Sequence, residues 1–209
     1  PKPSSAASDV YKRQGENTTH YSIIDKDGNV VSNTYTIGYS FGSGVTIPGT
    51  GILLDNQMNN FAYQHGNPEV IDRSASIGNK FEPGKRPMST MTPIIVFDEN
   101  NQLKLITGSP GGALIPAAVL RVVTGVIDFN LNLGEATMLP RLHKDWPYKN
   151  LRLEKGFSKD TLQILSFYGH ELEESKTMGS TQSILISPKG KEGFADLRRP
   201  NAGVAFQID

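Results

Sequence analysis

Asn17-Thr18-Thr19-His20-Tyr21-Ser22-Ile23-Ile24-Asp25-Lys26-Asp27-Gly28-Asn29 opens the informative part of this 209-residue chain. Tyr21 to Ile24 is a short β-prone run. Asp25 to Asn29 reads as a hairpin turn whose glycine can take positive φ. Val30 to Ile37 alternates apolar and polar residues, as a returning strand does. Thr18 thus stands just before the first strand of a hairpin.

Working outward, Gly38 to Gly51 is a glycine-rich loop broken by Pro48. Ile52 to Leu54 reads as a short apolar strand. Residues 62–87 are polar and Gly/Pro-rich, and so long a loop in a compact domain points to function. Ile94 to Phe97 and Leu103 to Thr107 form a second hairpin across Asp98-Glu99-Asn100-Asn101. Gly111-Gly112 opens a helix over Ala113 to Phe129. Its apolar residues occupy almost every face, which predicts a helix sandwiched between two layers. Gly134 to Met138 reads as a short helix ended by Pro140, and Leu151 to Glu154 as a strand. Ser158 is an N-cap for a helix to Tyr168, with Gly169 at its C-terminus. Thr181 to Ile186 and Phe194 to Asp196 read as strands, with a hairpin turn at Lys189 to Lys191. Hairpins first, then helices, then strands again favour α+β layers over a doubly wound parallel sheet.

Three stretches carry chemistry only when taken together. Thr18 offers a hydroxyl. Arg86-Pro87-Met88-Ser89-Thr90-Met91 offers two more behind a rigid proline. Thr107-Gly108-Ser109-Pro110-Gly111-Gly112 offers backbone N–H groups between a strand and a helix. A threonine hydroxyl needs a base, and one solution is the α-amino group of the same residue once the preceding bond is cut. That amine titrates near pH ~8, close enough to neutrality to accept the proton. Each stretch also has a plain structural reading. Thr18-Thr19 can be ordinary strand propensity, the glycine pair a tight turn, and Ser89-Thr90 a turn with local side-chain bonds. His20 is expected to point to the opposite face of its strand and to take no part in catalysis. Arg141-Leu142-His143 and Trp146 read as loop packing.

Composition removes several classes of function. Formal net charge is zero, hydrophobic content 37% and charged content 20%, so no nucleic-acid or membrane-surface partner is expected. With no cysteine, disulfides and thiolate metal sites are excluded. His20, His65, His143 and His170 lack metal-ligand spacing, and no metal or cofactor is expected. The apolar stretch from Gly111 to Phe129 is broken by Pro116, Arg121 and Asp128, which predicts a buried helix and no membrane span. Residues 1–14, Ser/Ala-rich and then charged, resemble translated adapter sequence; the alternative is a natural linker. They are expected to form a non-native leader. Residues 15–17 are expected to be the end of an upstream subunit, and residues 18–209 a catalytic domain.

Thr18-Thr19-His20-Tyr21-Ser22, the turn at Asp27-Gly28, Gly51-Ile52-Leu53-Leu54, Asn56-Gln57-Met58, Arg86-Pro87, Thr107 to Gly112 and Met178-Gly179-Ser180-Thr181-Gln182 come in a telling order. That set resembles the small, catalytic subunit of the γ-glutamyltranspeptidases. The resemblance runs from Thr18 to the end of the chain.

The resemblance implies an α+β N-terminal-nucleophile hydrolase, a four-layer αββα sandwich of which this chain supplies the small-subunit half. It implies a precursor cut between Asn17 and Thr18, with Thr18 as nucleophile and its new amine as base. By the same resemblance Thr36 orients the nucleophile, and Gly111 and Gly112 form the oxyanion hole. Ser89 and Thr90 would hold the substrate α-carboxylate, and Gln57 would contact the α-ammonium. Two positions depart from the family. Asn60 stands where an Asp usually counters the ammonium, and Gly38 where an Asn often contacts the carboxylate. The implied reaction is γ-glutamyl transfer to an amino acid, peptide or water, with no cofactor. The implied partner is the large subunit of the same precursor, and the implied location periplasmic or extracellular. A glutaryl-type amide acylase, or a non-catalytic subunit of the same fold, are the alternatives.

Overall fold

The computed structural model describes residues 18–61, 77–145 and 150–207. The expectations for residues 1–17, which include Asn17, for most of the 62–87 loop and for Trp146 lie outside or partly outside that range.

The first hairpin forms as read: β1 (Thr19–Ile24) pairs antiparallel with β2 (Val30–Tyr35), from Thr19↔Tyr35 to Ile24↔Val30. Asp25 closes the turn. One carboxylate oxygen accepts the N–H groups of Asp27 and Asn29 at 2.9 and 2.8 Å, and Gly28 takes φ 86°. The Gly38–Gly51 loop is tied to residues 52–54 by a few backbone hydrogen bonds around an isolated bridge, Thr46↔Leu53, and the strand expected at Ile52 to Leu54 does not form. Glycines at positive φ turn the chain too often there for a ladder to grow.

A four-stranded antiparallel sheet is the centre of the molecule. Its order is β3 (Ile94–Phe97), β4 (Leu103–Thr107), β8 (Gln182–Ser187), β9 (Gly190–Ala195). Both edges of β4 are taken by β3 and β8, so the β1–β2 hairpin, which packs on β4 and β8, lies across a face. The seam between these layers is polar. Ser22 Oγ donates to the Gln182 carbonyl at 2.8 Å, and Ser32 Oγ to the Thr107 carbonyl at 3.0 Å. Gly108 is required here: a Cβ would sit 2.1 Å from the His20 ring.

The opposite face of the sheet carries α1 (Ile115–Ile127) and α2 (Leu133–Met138). Leu105, Val122, Val126, Leu133, Ala136 and Leu185 are buried together between sheet and helices. Burial of each large side chain contributes about 1.5–3 kcal/mol. A 3-10 turn over Gly112–Leu114 leads into α1, which is shorter than its sequence suggests. α1 is also not sandwiched. Ile115, Ala118, Val119, Val122 and Val126 are buried, while Leu120 and Ile127 are exposed, so one stripe packs and the other face is open. The apolar periodicity recorded surface that nothing among the described residues covers.

A smaller sheet completes the chain: β5 (Leu142–His143) antiparallel to β6 (Asn150–Leu153), and β6 parallel to β7 (Glu171–Glu174). The crossover from β6 to β7 is α3 (Lys159–Phe167), capped by Ser158 as expected. Gly169 follows at φ 84°. Arg141 and Leu142-His143 are not loop packing: the latter two are strand β5, and Arg141 is almost fully buried. Its Nη2 donates to Asp196 Oδ2 at 2.6 Å and its Nη1 to the Met178 carbonyl at 2.6 Å. Glu154 accepts from Arg198 at 2.7 Å and from the Met178 N–H at 2.6 Å. Burial lowers the Arg141 pKa and Asp196 opposes the shift. The guanidinium stays charged because an arginine starts so high. This buried cluster ties the loop at 178–181 and the C-terminal segment to one point.

Candidate active site

Thr36, Gln57 and Ser89 meet in an open cleft of about 380 Å³, whose wall also includes Thr34, Tyr35, Arg86, Pro87, Met88 and Met91. They come from the residue just past β2, a 3-10 turn (Gln57–Asn60) and the 86–91 loop. A continuous run of hydrogen bonds joins these pieces. Gln57 Nε2 donates to the Thr36 carbonyl at 3.3 Å, and Asn60 Nδ2 to Gln57 Oε1 at 2.6 Å. Asn79 Nδ2 then donates to the Asn60 carbonyl at 2.7 Å, and the Met88 N–H to Asn79 Oδ1 at 3.0 Å. Asn79, buried, is a site-building residue that sequence reasoning missed. It sits in a Gly/Pro-rich stretch with no periodic signal around it.

The 86–91 loop is tied in turn to the glycine pair. Thr90 Oγ1 donates to the Gly112 carbonyl at 2.9 Å. Its hydroxyl is therefore engaged with the backbone, and Ser89 is the residue of the two that faces the cleft. Ser89 Oγ accepts the Met91 N–H at 3.1 Å, so the local-turn reading of this pair also holds. Gly111 and Gly112 take φ 143° and 56°, conformations that favour glycine. Gly179 packs behind them: a Cβ on Gly111 would come within 3.1 Å of the Gly179 Cα. The tight-turn reading is satisfied, and the turn stands next to Thr90 at the cleft's edge.

Thr18 is buried at the head of β1. The register Thr19↔Tyr35, carried one residue further, sets Thr18 opposite Thr36. Arg199 Nη1 donates to the Thr18 carbonyl at 2.6 Å. Thr36 Oγ1 accepts the Gly38 N–H at 3.0 Å.

His20 corrects one expectation. A strand has a period of two, so Thr18, His20 and Ser22 share a side, and the opposite-face argument fails. Its exclusion from catalysis rests instead on its contacts. Nδ1 is 2.7 Å from Thr34 Oγ1 and Nε2 3.1 Å from Ser22 Oγ. Burial lowers its pKa to about 4, so the ring is neutral. Among the described residues, no group of three or more His, Cys, Asp or Glu is placed to hold a metal ion.

Residues 1–206 match the gamma-glutamyltranspeptidase family. The chain belongs to that family. It is 46% identical over 178 residues to the glutathione hydrolase proenzyme of Escherichia coli K12, covering 85% of this chain and 30% of that one. The gamma-glutamyltranspeptidase of Helicobacter pylori superposes with a TM-score of 0.78 at 41% identity, over 87% of this chain and 100% of that chain. A cephalosporin acylase from Bacillus halodurans superposes at 0.76 and 30% identity, over 91% of this chain and 36% of that one. This chain thus spans about a third of the length of the curated relatives it matches. Its α+β layering is that of these gamma-glutamyltranspeptidase neighbours.

Proposed function

We propose that residues 18–209 form the nucleophile-bearing part of a γ-glutamyl amide transferase or hydrolase. The observation that carries the reading is the cleft in which Thr36, Gln57 and Ser89 converge, with Thr18 across the hairpin from Thr36 in a chain of this family.

The chemistry follows from those positions. The Asn17–Thr18 bond is cut, which frees the Thr18 amine. That amine takes the proton of its own hydroxyl, and Oγ attacks the γ-carbonyl of the bound acyl group. The Gly111 and Gly112 N–H groups receive the developing oxyanion. The amine returns the proton to the departing nitrogen, leaving an ester on Thr18. Water or an acceptor amine then attacks that ester and restores the hydroxyl. Ser89 and Gln57 hold the far end of the acyl group, and Thr36 steadies the nucleophile. No step draws on a cofactor. The partner is the remainder of the precursor, which the longer relatives carry, and the location is periplasmic or extracellular. No helix among the described residues is long and apolar enough to cross a membrane.

A second reading has its own support. Asn60 presents its N–H₂ to Gln57, so no carboxylate stands there to counter a substrate ammonium. A des-amino acyl group such as glutaryl suits that arrangement, and a cephalosporin acylase is among the similar structures. Comparing γ-glutamyl and glutaryl anilides separates the two.

Thr18→Ala in the full precursor tests the core of the proposal. It is expected to abolish maturation and turnover together, because one hydroxyl serves both. Thr18→Ser retains part of each. Two subunits on a gel from the alanine variant would sink the assignment, and a wild-type precursor that folds but never cleaves would favour a non-catalytic subunit.

A further inference from the structure

Arg199 reaches 181 positions back along the chain to donate from Nη1 to the Thr18 carbonyl at 2.6 Å. We propose that Arg199 is a positioning residue for Thr18, holding the peptide plane that follows the nucleophile. The inference rests on the reading of Thr18 as nucleophile.

An N-terminal residue is poorly constrained. Once the preceding bond is cut, Thr18 loses the covalent restraint on its amino side. The ladder begins only at Thr19, paired with Tyr35. Tilting of the peptide plane that follows Thr18 then moves amine and hydroxyl together relative to the cleft. The carbonyl oxygen is the hydrogen-bond acceptor of Thr18 that lies in that plane. A donor on it sets the plane from which amine and hydroxyl are aimed. A hydrogen bond from a charged donor is roughly twice as strong as one from a neutral group, so a guanidinium suits the task.

Arg199 is mounted rigidly enough to do this. Its N–H donates to the Asp196 carbonyl at 3.3 Å, and Pro200 fixes the following φ. Asp196 is fully buried. Its Oδ2 accepts from Arg141 at 2.6 Å and from the Thr181 N–H at 3.0 Å. Arg198, next to Arg199, is held by Glu154 at 2.7 Å. The guanidinium that touches Thr18 therefore extends from the same buried cluster that fixes Met178, the residue before Gly179, which packs behind the glycine pair. Nucleophile and oxyanion turn share one foundation. Because the contact is to the backbone, it is indifferent to Thr or Ser at position 18. It is unaffected by cleavage on the other side of that residue.

The test uses the full precursor with Arg199→Ala, Arg199→Gln and Arg199→Lys, read by kcat and KM on γ-glutamyl-p-nitroanilide and by thermal midpoint. Where the alanine variant fails to mature, the two chains are co-expressed with Thr18 already N-terminal. Arg199→Ala and Arg199→Gln are expected to lower kcat by about ten- to a hundredfold with KM within about twofold. Lysine, which keeps a charged donor, recovers part of the loss. An unchanged kcat overturns the proposal. So does a raised KM with kcat intact, which assigns Arg199 to substrate binding. A loss that tracks the thermal midpoint in all three variants, without lysine rescue, makes the role structural and also overturns it. A Thr18→Ala enzyme that still turns over would instead defeat the parent reading. An inactive Thr18→Ala beside a fully active Arg199→Ala defeats only this inference.

Discussion

Asn60 is the residue at which we propose that this chain's substrate preference is set. Its amide donates to Gln57 Oε1 at 2.6 Å, which leaves Gln57 Nε2 on the Thr36 carbonyl and a neutral amide at position 60. A carboxylate at position 60 reverses the polarity of that contact, since Gln57 must then turn its N–H₂ toward it. A free α-ammonium on the substrate gains a charge-assisted partner. Asn60→Asp is expected to lower KM for γ-glutamyl-p-nitroanilide about tenfold, equivalent to ~1.4 kcal/mol, with kcat little changed. The same variant is expected to bind glutaryl-p-nitroanilide no better. An unchanged or raised KM for the γ-glutamyl compound would show that another group already supplies the charge.

Between elements, the seam of the β1–β2 hairpin on the central sheet has a titration of its own. His20 is buried there against Thr34, Ser22 and Gly108, with its pKa lowered to about 4 from an ordinary value near 6.5. Above pH 6.5 the ring is neutral folded or unfolded, and its contribution is intact. As pH falls from 6.5 toward 4, the unfolded chain gains a proton that the fold refuses, and stability drops by up to ~3 kcal/mol. Thermal midpoints across that window should fall less steeply in His20→Asn, and the His20 imidazole resonances of the wild type should not titrate above pH 5. Equal slopes in the two proteins would remove His20 as the cause. The seam also shows what the sequence makes legible. Both hairpins are readable because Asp25, Asp98 and positive-φ Gly28 and Asn101 write their turns locally. Ser158 writes the start of α3 in the same way. β7 is not readable, because Glu171-Leu172-Glu173-Glu174 is a charged strand with one inward residue. The candidate site residues were visible as an ordered set. Asn79, Arg199 and the Arg141–Asp196 pair were not, because their partners lie far away along the chain and no local pattern marks them.

Across the molecule, the layers run hairpin, sheet, helices, and two apolar faces are left open among the described residues. Outside the hairpin Tyr21, Ile23, Val31 and Tyr35 point away from the sheet and are exposed. Outside α1, Leu120 and Ile127 are exposed, with Phe129 beyond the helix end. A two-stranded sheet has two unpaired edges and seldom stands alone. These features fit the proposal that a further layer comes from the rest of a longer precursor, since the curated relatives are about three times as long as the matched region. The 209-residue chain expressed alone is therefore expected to be inactive and poorly soluble. Exposed apolar surface of this extent favours association, and Thr18 has no free amine while Asn17 is attached. Expression of the whole precursor, or co-expression with the upstream segment, is expected to restore solubility and turnover together. The measurement is the soluble fraction by gel filtration, paired with γ-glutamyl anilide hydrolysis and an intact-mass spectrum. Steady hydrolysis by the isolated chain with Asn17–Thr18 uncut would refute the amine-as-base mechanism. Hydrolysis accompanied by clean cleavage before Thr18 would leave the mechanism standing and refute only the need for the partner.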